Sequence, residues 1–250
     1  MFAPKQAIRP LLAGLVLAAA AALPAARPAR AMTYAECTEM VETAPANAYK
    51  AALAWIKQAD EAPAQHCAAL AEVALKRYGA AADRLNRLID QTENPYEAAA
   101  LLGQLGNVRL LDGKPDLAVQ AFDLAVKNTP NDALLLSDRA QAHAAMKNWA
   151  LAIRDLDAAS QIDDENLDIL LLYATALREG GKLPEAMGVI EKAASLAPGD
   201  GAVLLERGRI HLLRGDKDKA AADWKKAAAS AADPAVRDAA NASLKALAKK

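Results

Sequence analysis

Aromatic side chains are scarce in these 250 residues, at 4%, which argues against an all-β sandwich, whose strands draw on Tyr, Phe and Trp. An excess of one charge is missing as well. Thirty Lys and Arg face thirty-one Asp and Glu, a formal net of -1, so the broad electropositive surface that nucleic-acid binding needs is lacking. Mean hydropathy near zero excludes a multi-span membrane protein. Gly-rich phosphate loops, nucleophile elbows and metal-ligand clusters are all missing, so neither enzyme chemistry nor a cofactor or metal is expected.

One long apolar run is present, from Leu11 to Leu23, preceded by Lys5 and Arg9 and followed by Ala29-Arg30-Ala31 with small residues at the -3 and -1 positions of a cleavage site. This reads as a secretory signal peptide over residues 1–31. As a helix the run reaches only about 20 Å, short of the roughly 30 Å hydrocarbon core, so no stable membrane anchor is expected. Tyr34-Ala35-Glu36 before Cys37 is no lipobox. The expected location is secreted or periplasmic. Cleavage would remove Lys5, Arg9, Arg27 and Arg30 and no acidic residue, leaving 26 basic against 31 acidic side chains, a net of -5. That charge aids solubility and identifies no ligand.

The remaining chain repeats every 34 residues. Ala118, Ala152, Ala186 and Ala220 keep this step, as do Ala125, Ala159, Ala193 and Ala227, with Phe122, Leu156, Ile190 and Trp224 between them. Upstream, Gly106, Ala140, Ala174 and Gly208 form a small-residue column beside Leu102, Leu136, Leu170 and Leu204. A turn column follows at Gly79, Gly113, Lys147, Gly181 and Gly215. Small residues let two helix axes approach, large apolar residues fill the gap, and glycine can take the left-handed conformation that ends the first helix. Each unit is therefore a helical hairpin. Asn128-Thr129-Pro130-Asn131 and Ala197-Pro198-Gly199-Asp200 end second helices and cap the next.

This pattern of small residue, turn, Ala, large apolar, Ala and Pro resembles the tetratricopeptide repeat, most clearly from Glu97 to Ala229. The Trp of the family's first helix is Leu throughout, and the closing Pro is Asp164 in one copy. The resemblance implies an all-α fold, a right-handed α-solenoid of stacked hairpins, in an exported protein of bacterial type. Residues 32–98 read as degenerate N-terminal repeats, and 99–132, 133–166, 167–200 and 201–234 as four regular ones. Residues 235–250 follow the N-cap Asp233 and Pro234 and read as a capping helix, needed where the last repeat would otherwise expose its apolar face.

Cys37 and Cys67 fall on the first helices of adjacent degenerate units. Thiols of an exported protein oxidise when close, and packed helices can bring their backbones within disulfide range, so a bridge is expected. The competing arrangement uses Cys37, His66 and Cys67 as a soft metal site, or Cys67 as a nucleophile beside His66. Adjacent helical residues point about 100° apart, which disfavours it.

Arg139 and Arg207 share a column, with Asp155 and Asp223 sixteen residues later in each case. The alternate units carry Leu105 with Ala121 and Tyr173 with Val189. Charge enters or leaves both helices together, so Arg139–Asp155 and Arg207–Asp223 are expected as ion pairs across their hairpins. His143 and His211, one turn beyond each Arg, read as packed side chains rather than ligands.

The resemblance further implies a concave groove, lined by the face of each first helix opposite its core stripe, that takes a peptide segment or partner helix. Its central column reads Asn107, Gln141, Thr175 and Arg209, with Ser137, Asp138 and Arg178 around it. Amides there can donate to and accept from a peptide backbone. The basic residues that carboxylate-binding members of the family use are missing at most matching positions, so an acidic or mixed polar and apolar segment is expected rather than a free C-terminal acid. The function these readings favour is a non-enzymatic protein-interaction scaffold of the cell envelope. The alternatives are a regulatory subunit of an envelope enzyme that builds wall or polysaccharide, and, with less support, an envelope enzyme itself.

Overall fold

Short polar residues and prolines set the helix starts. Asn94, Asp132, Asn166, Asp200 and Asp233 each accept hydrogen bonds on their side chains from the first free amides of the following helix, satisfying donors that have no partner within the helix. In the computed structural model, which describes residues 32–249, this yields thirteen helices and no strand among the described residues. They are α1 (Tyr34–Thr43), α2 (Pro45–Gln58), α3 (Ala62–Ala74), α4 (Tyr78–Gln91), α5 (Pro95–Leu111), α6 (Pro115–Asn128), α7 (Ala133–Ala145), α8 (Trp149–Ile162), α9 (Leu167–Glu179), α10 (Leu183–Leu196), α11 (Gly201–Leu213), α12 (Lys217–Ser230) and α13 (Pro234–Leu247). The expected signal peptide lies outside the described residues.

The described helices form two compact units, one with α1 to α6 that ends at Pro130 and one with α7 to α13 that begins at Asn131. Within each, successive helices pair as hairpins, and in the second α13 covers α11 and α12. The architecture is an all-α solenoid.

From α5 onward, turns between paired helices use a single left-handed residue: Gly113 at φ 72°, Lys147 at 59°, Gly181 at 78° and Gly215 at 90°. In the α3–α4 hairpin that residue is Lys76, at φ 59°, and not Gly79, which sits inside α4. The displacement has a structural cause. Helix α5 has 17 residues where α7, α9 and α11 have 13. The connection before α5, residues 92–94, is one residue shorter than residues 163–166 before α9. The net offset of three moves Ala81, Leu85 and Leu88 into the places that Ala118, Phe122 and Ala125 hold in the next hairpin, and all six are buried.

From α3 onward the seam of each hairpin is a matched pair of residues sixteen apart. A Cβ added to Gly106 would lie 2.5 Å from Phe122 Cζ, and one added to Gly208 would lie 2.4 Å from Trp224 Nε1. Where the second helix brings a smaller residue, the first carries Ala: Ala140 with Leu156, Ala174 with Ile190 and, in the offset register, Ala69 with Leu85, all buried. Glycine therefore appears only opposite an aromatic ring. The Trp224 indole also donates to the Leu205 carbonyl at 3.1 Å, so the largest seam residue leaves no polar atom unpaired.

Gly106→Ala tests this fit against intrinsic preference. Alanine is the better helix former by about 1 kcal/mol, yet its methyl would overlap the Phe122 ring, an overpacking that costs about 1–3 kcal/mol. The expected outcome is a lower urea midpoint at unchanged m-value; a raised midpoint would contradict the seam.

Candidate binding face

Two charge pairs fasten the hairpins of the second unit. Arg139 Nε donates to Asp155 Oδ2 at 2.7 Å and Nη2 to Oδ1 at 2.8 Å. Arg207 repeats the arrangement on Asp223 at 2.8 and 2.7 Å. Both carboxylates are buried, and such forked pairing is the geometry that makes a buried charge tolerable. The hydrogen bonds to Asp223 hold the Arg207 guanidinium above its ordinary pKa. His143 and His211 pack alongside, with Nε2 at 3.8 Å from Asp155 and 4.0 Å from Asp223. Tyr173, in the column of the two arginines, donates instead to Asp157 of the preceding hairpin at 2.9 Å. Burial, aided by that carboxylate, pushes its hydroxyl up to about 12.

Helices α7, α9 and α11 pack side by side. Gln141, Thr175 and Arg209, one on each, are half-buried. Gln141 donates to Asp138 at 3.3 Å. Ser137 does not join them: it is only 4% exposed, held in the packing. Asn107, half-buried on α5, belongs to the first unit.

The arginines of this face are not open cations. Arg178 Nε donates to Glu206 Oε1 and its Nη1 to Glu179 at 2.8 Å, while Arg209 Nη1 donates to Glu206 Oε2 at 3.0 Å. The neighbouring carboxylates raise the Arg178 pKa although burial opposes them. Two guanidiniums thus meet two carboxylates and the cluster is neutral. Glu206 escapes a reading of hairpin columns because its partner lies on the preceding first helix, 28 residues upstream. The columns give no consistent signal: the same two positions hold Ala144 and Leu172 one repeat earlier but Leu110 and Asp138 two repeats earlier.

In the first unit Cys37 and Cys67 form a disulfide with a Cα separation of 6.2 Å, joining α1 to α3. With both sulfurs consumed, neither the metal site nor the nucleophile is available. Among the described residues no group of three or more His, Cys, Asp or Glu is placed to hold a metal ion, and no helix is long and apolar enough to cross a membrane. His66 is instead the centre of a chain of hydrogen bonds. Tyr34 Oη lies 2.6 Å from Nδ1 and Gln104 Oε1 lies 2.6 Å from Nε2. An amide oxygen only accepts, which assigns Nε2–H to the imidazole and leaves Nδ1 to accept from the tyrosine. Burial lowers the His66 pKa, outweighing the opposing effects of Gln104 and Glu97, and burial pushes the Tyr34 hydroxyl up to about 12. Arg84 forks onto buried Glu72 at 3.1 and 3.0 Å, a hairpin pair that column reading misses because its residues are twelve apart rather than sixteen and the acid is on the first helix.

No protein-family model matches the chain. Sperm-associated antigen 1 of Mus musculus is 29% identical over 93 residues, which are 37% of this chain and 10% of that protein, so the chain spans about a tenth of the length of this curated relative. Among solved structures, YrrB, a TPR protein with an unusual peptide-binding site, superposes with a TM-score of 0.59 at 16% identity over 77% of this chain and 98% of YrrB. MamA from Desulfovibrio magneticus RS-1 gives 0.56 at 21% identity over 62% of this chain and 88% of that one. The fold is tetratricopeptide-like.

His66 gives the first unit a pH dependence of known sign. Its pKa is lowered in the folded chain from the ordinary 6.5, so the unfolded chain binds the proton more readily, and stability falls as pH drops below about 6.5. Urea midpoints measured between about pH 7.5 and 5.5 should fall more steeply for the wild type than for His66→Gln. Parallel slopes would show that His66 does not titrate as a buried neutral group.

Proposed function

We propose that the protein is a non-enzymatic interaction scaffold that holds a segment of another protein against the face built by α7, α9 and α11. The carrying observation is that this face presents half-buried amide and hydroxyl side chains, Gln141 and Thr175, on a rigid helical array whose nearby charges are internally neutralised. Such groups can hydrogen-bond an extended backbone or a helix surface in both directions. Half-exposed Leu212 and exposed Leu213 on α11 add apolar contact area. The peptide-binding site of YrrB, on a similar fold, supports the reading.

The place of action proposed is the cell envelope. The charged start, apolar run and small-residue cleavage site over residues 1–31 support export, and a disulfide is at home in an oxidising compartment.

A photo-crosslinking residue at Gln141 in intact cells tests both the face and the partner. A discrete, identifiable protein should be captured from position 141 and not from Lys225, which is exposed on α12 away from this face. Equal capture from both positions would remove the face as the binding surface.

A further inference from the structure

Three carboxylates of the second unit are buried, and two of them, Asp155 and Asp223, serve hairpin pairs. The third, Glu206, is 2% exposed and fastens no hairpin. Its two oxygens are divided between guanidiniums of different helices, Arg178 of α9 and Arg209 of α11. The Arg178 side chain is 13% exposed and that of Arg209 is 42% exposed, so both reach the proposed binding face from a common buried anion. Without that anion, two guanidiniums side by side would form a receptor for a carboxylate, since each offers a planar fork of donors.

We propose that Glu206 is a built-in counter-anion that closes this two-arginine site to acidic segments and carboxyl termini, so that the face accepts uncharged segments. The inference rests on the reading that the face binds peptide. An incoming carboxylate would have to displace a tethered one, present at high effective concentration, and leave Glu206 buried without its cations. Exposed Glu179, bonded to Arg178 at 2.8 Å, adds a second negative charge at the rim.

The test titrates the full chain with two synthetic hexapeptides, one rich in Asp and Glu with a free C-terminus and one neutral and amidated, and follows the Nε–H signals of Arg178 and Arg209 by NMR. In the wild type the acidic peptide should leave both signals in place. In folded Glu206→Gln it should shift them and bind at least about tenfold tighter, and adding Arg209→Gln should abolish that gain. A folded Glu206→Gln protein with no gain would overturn the proposal. So would a wild type whose Arg178 and Arg209 signals respond to the acidic peptide, an arm that decides even if the variant fails to fold. Because the probes are synthetic, this outcome is independent of whether Gln141 captures a cellular partner.

Discussion

Close approach of two helices within each hairpin is the constraint from which the rest of this structure follows. A helix backbone can approach its partner only where no side chain intervenes, and the residue opposite must fill the space that remains. At Gly106 under Phe122 and Gly208 under Trp224 the ring leaves no room for even a methyl group. Ala with Leu or Ile serves where the second helix brings less volume. The constraint is pairwise, so it is satisfied in several size combinations without disturbing the period of the array.

The same pairwise logic governs charge. Arg139 with Asp155 and Arg207 with Asp223 bury carboxylates that would be costly alone, and Arg178 with Glu206 extends the rule from the hairpin to the contact between neighbouring first helices. The proposed binding face is built on those same first helices, so a device that stabilises the packing would also set the chemistry presented there. Here it leaves amides, hydroxyls and leucines as the available groups. At the N-terminal end, where the repeats are least regular, a covalent bond and the Tyr34–His66–Gln104 chain tie α1, α3 and α5 together.

Much of this was legible in residue columns because a strict period turns spatial neighbours into fixed spacings. Hairpins, seam residues and cross-hairpin charges could be read from α5 onward. Gly79 was misread as a turn because the extra length of α5 breaks the period once, and the Arg84–Glu72 pair was missed because its residues are twelve apart rather than sixteen. Glu206 was missed because its pairing with Arg178 has no counterpart at the matching positions of the other repeats and so forms no column. The His66 network depends on three helices meeting at one point, and no spacing rule encodes such a junction. Ser137 shows the converse limit: angular position on a helix assigned it to the open face, yet the neighbouring packing buries it.

The most direct measurement of the seam is a double-mutant cycle at the last hairpin, with Gly208→Ala, Trp224→Leu and their combination compared by urea unfolding. The combination recreates the Ala140 and Leu156 pairing. Compensation requires the double variant to be more stable than the sum of the two single losses by at least about 1 kcal/mol, within the range of coupling seen for touching residues. Additive losses would mean that residue 208 and residue 224 do not share one space, and the account of how these hairpins close would fail.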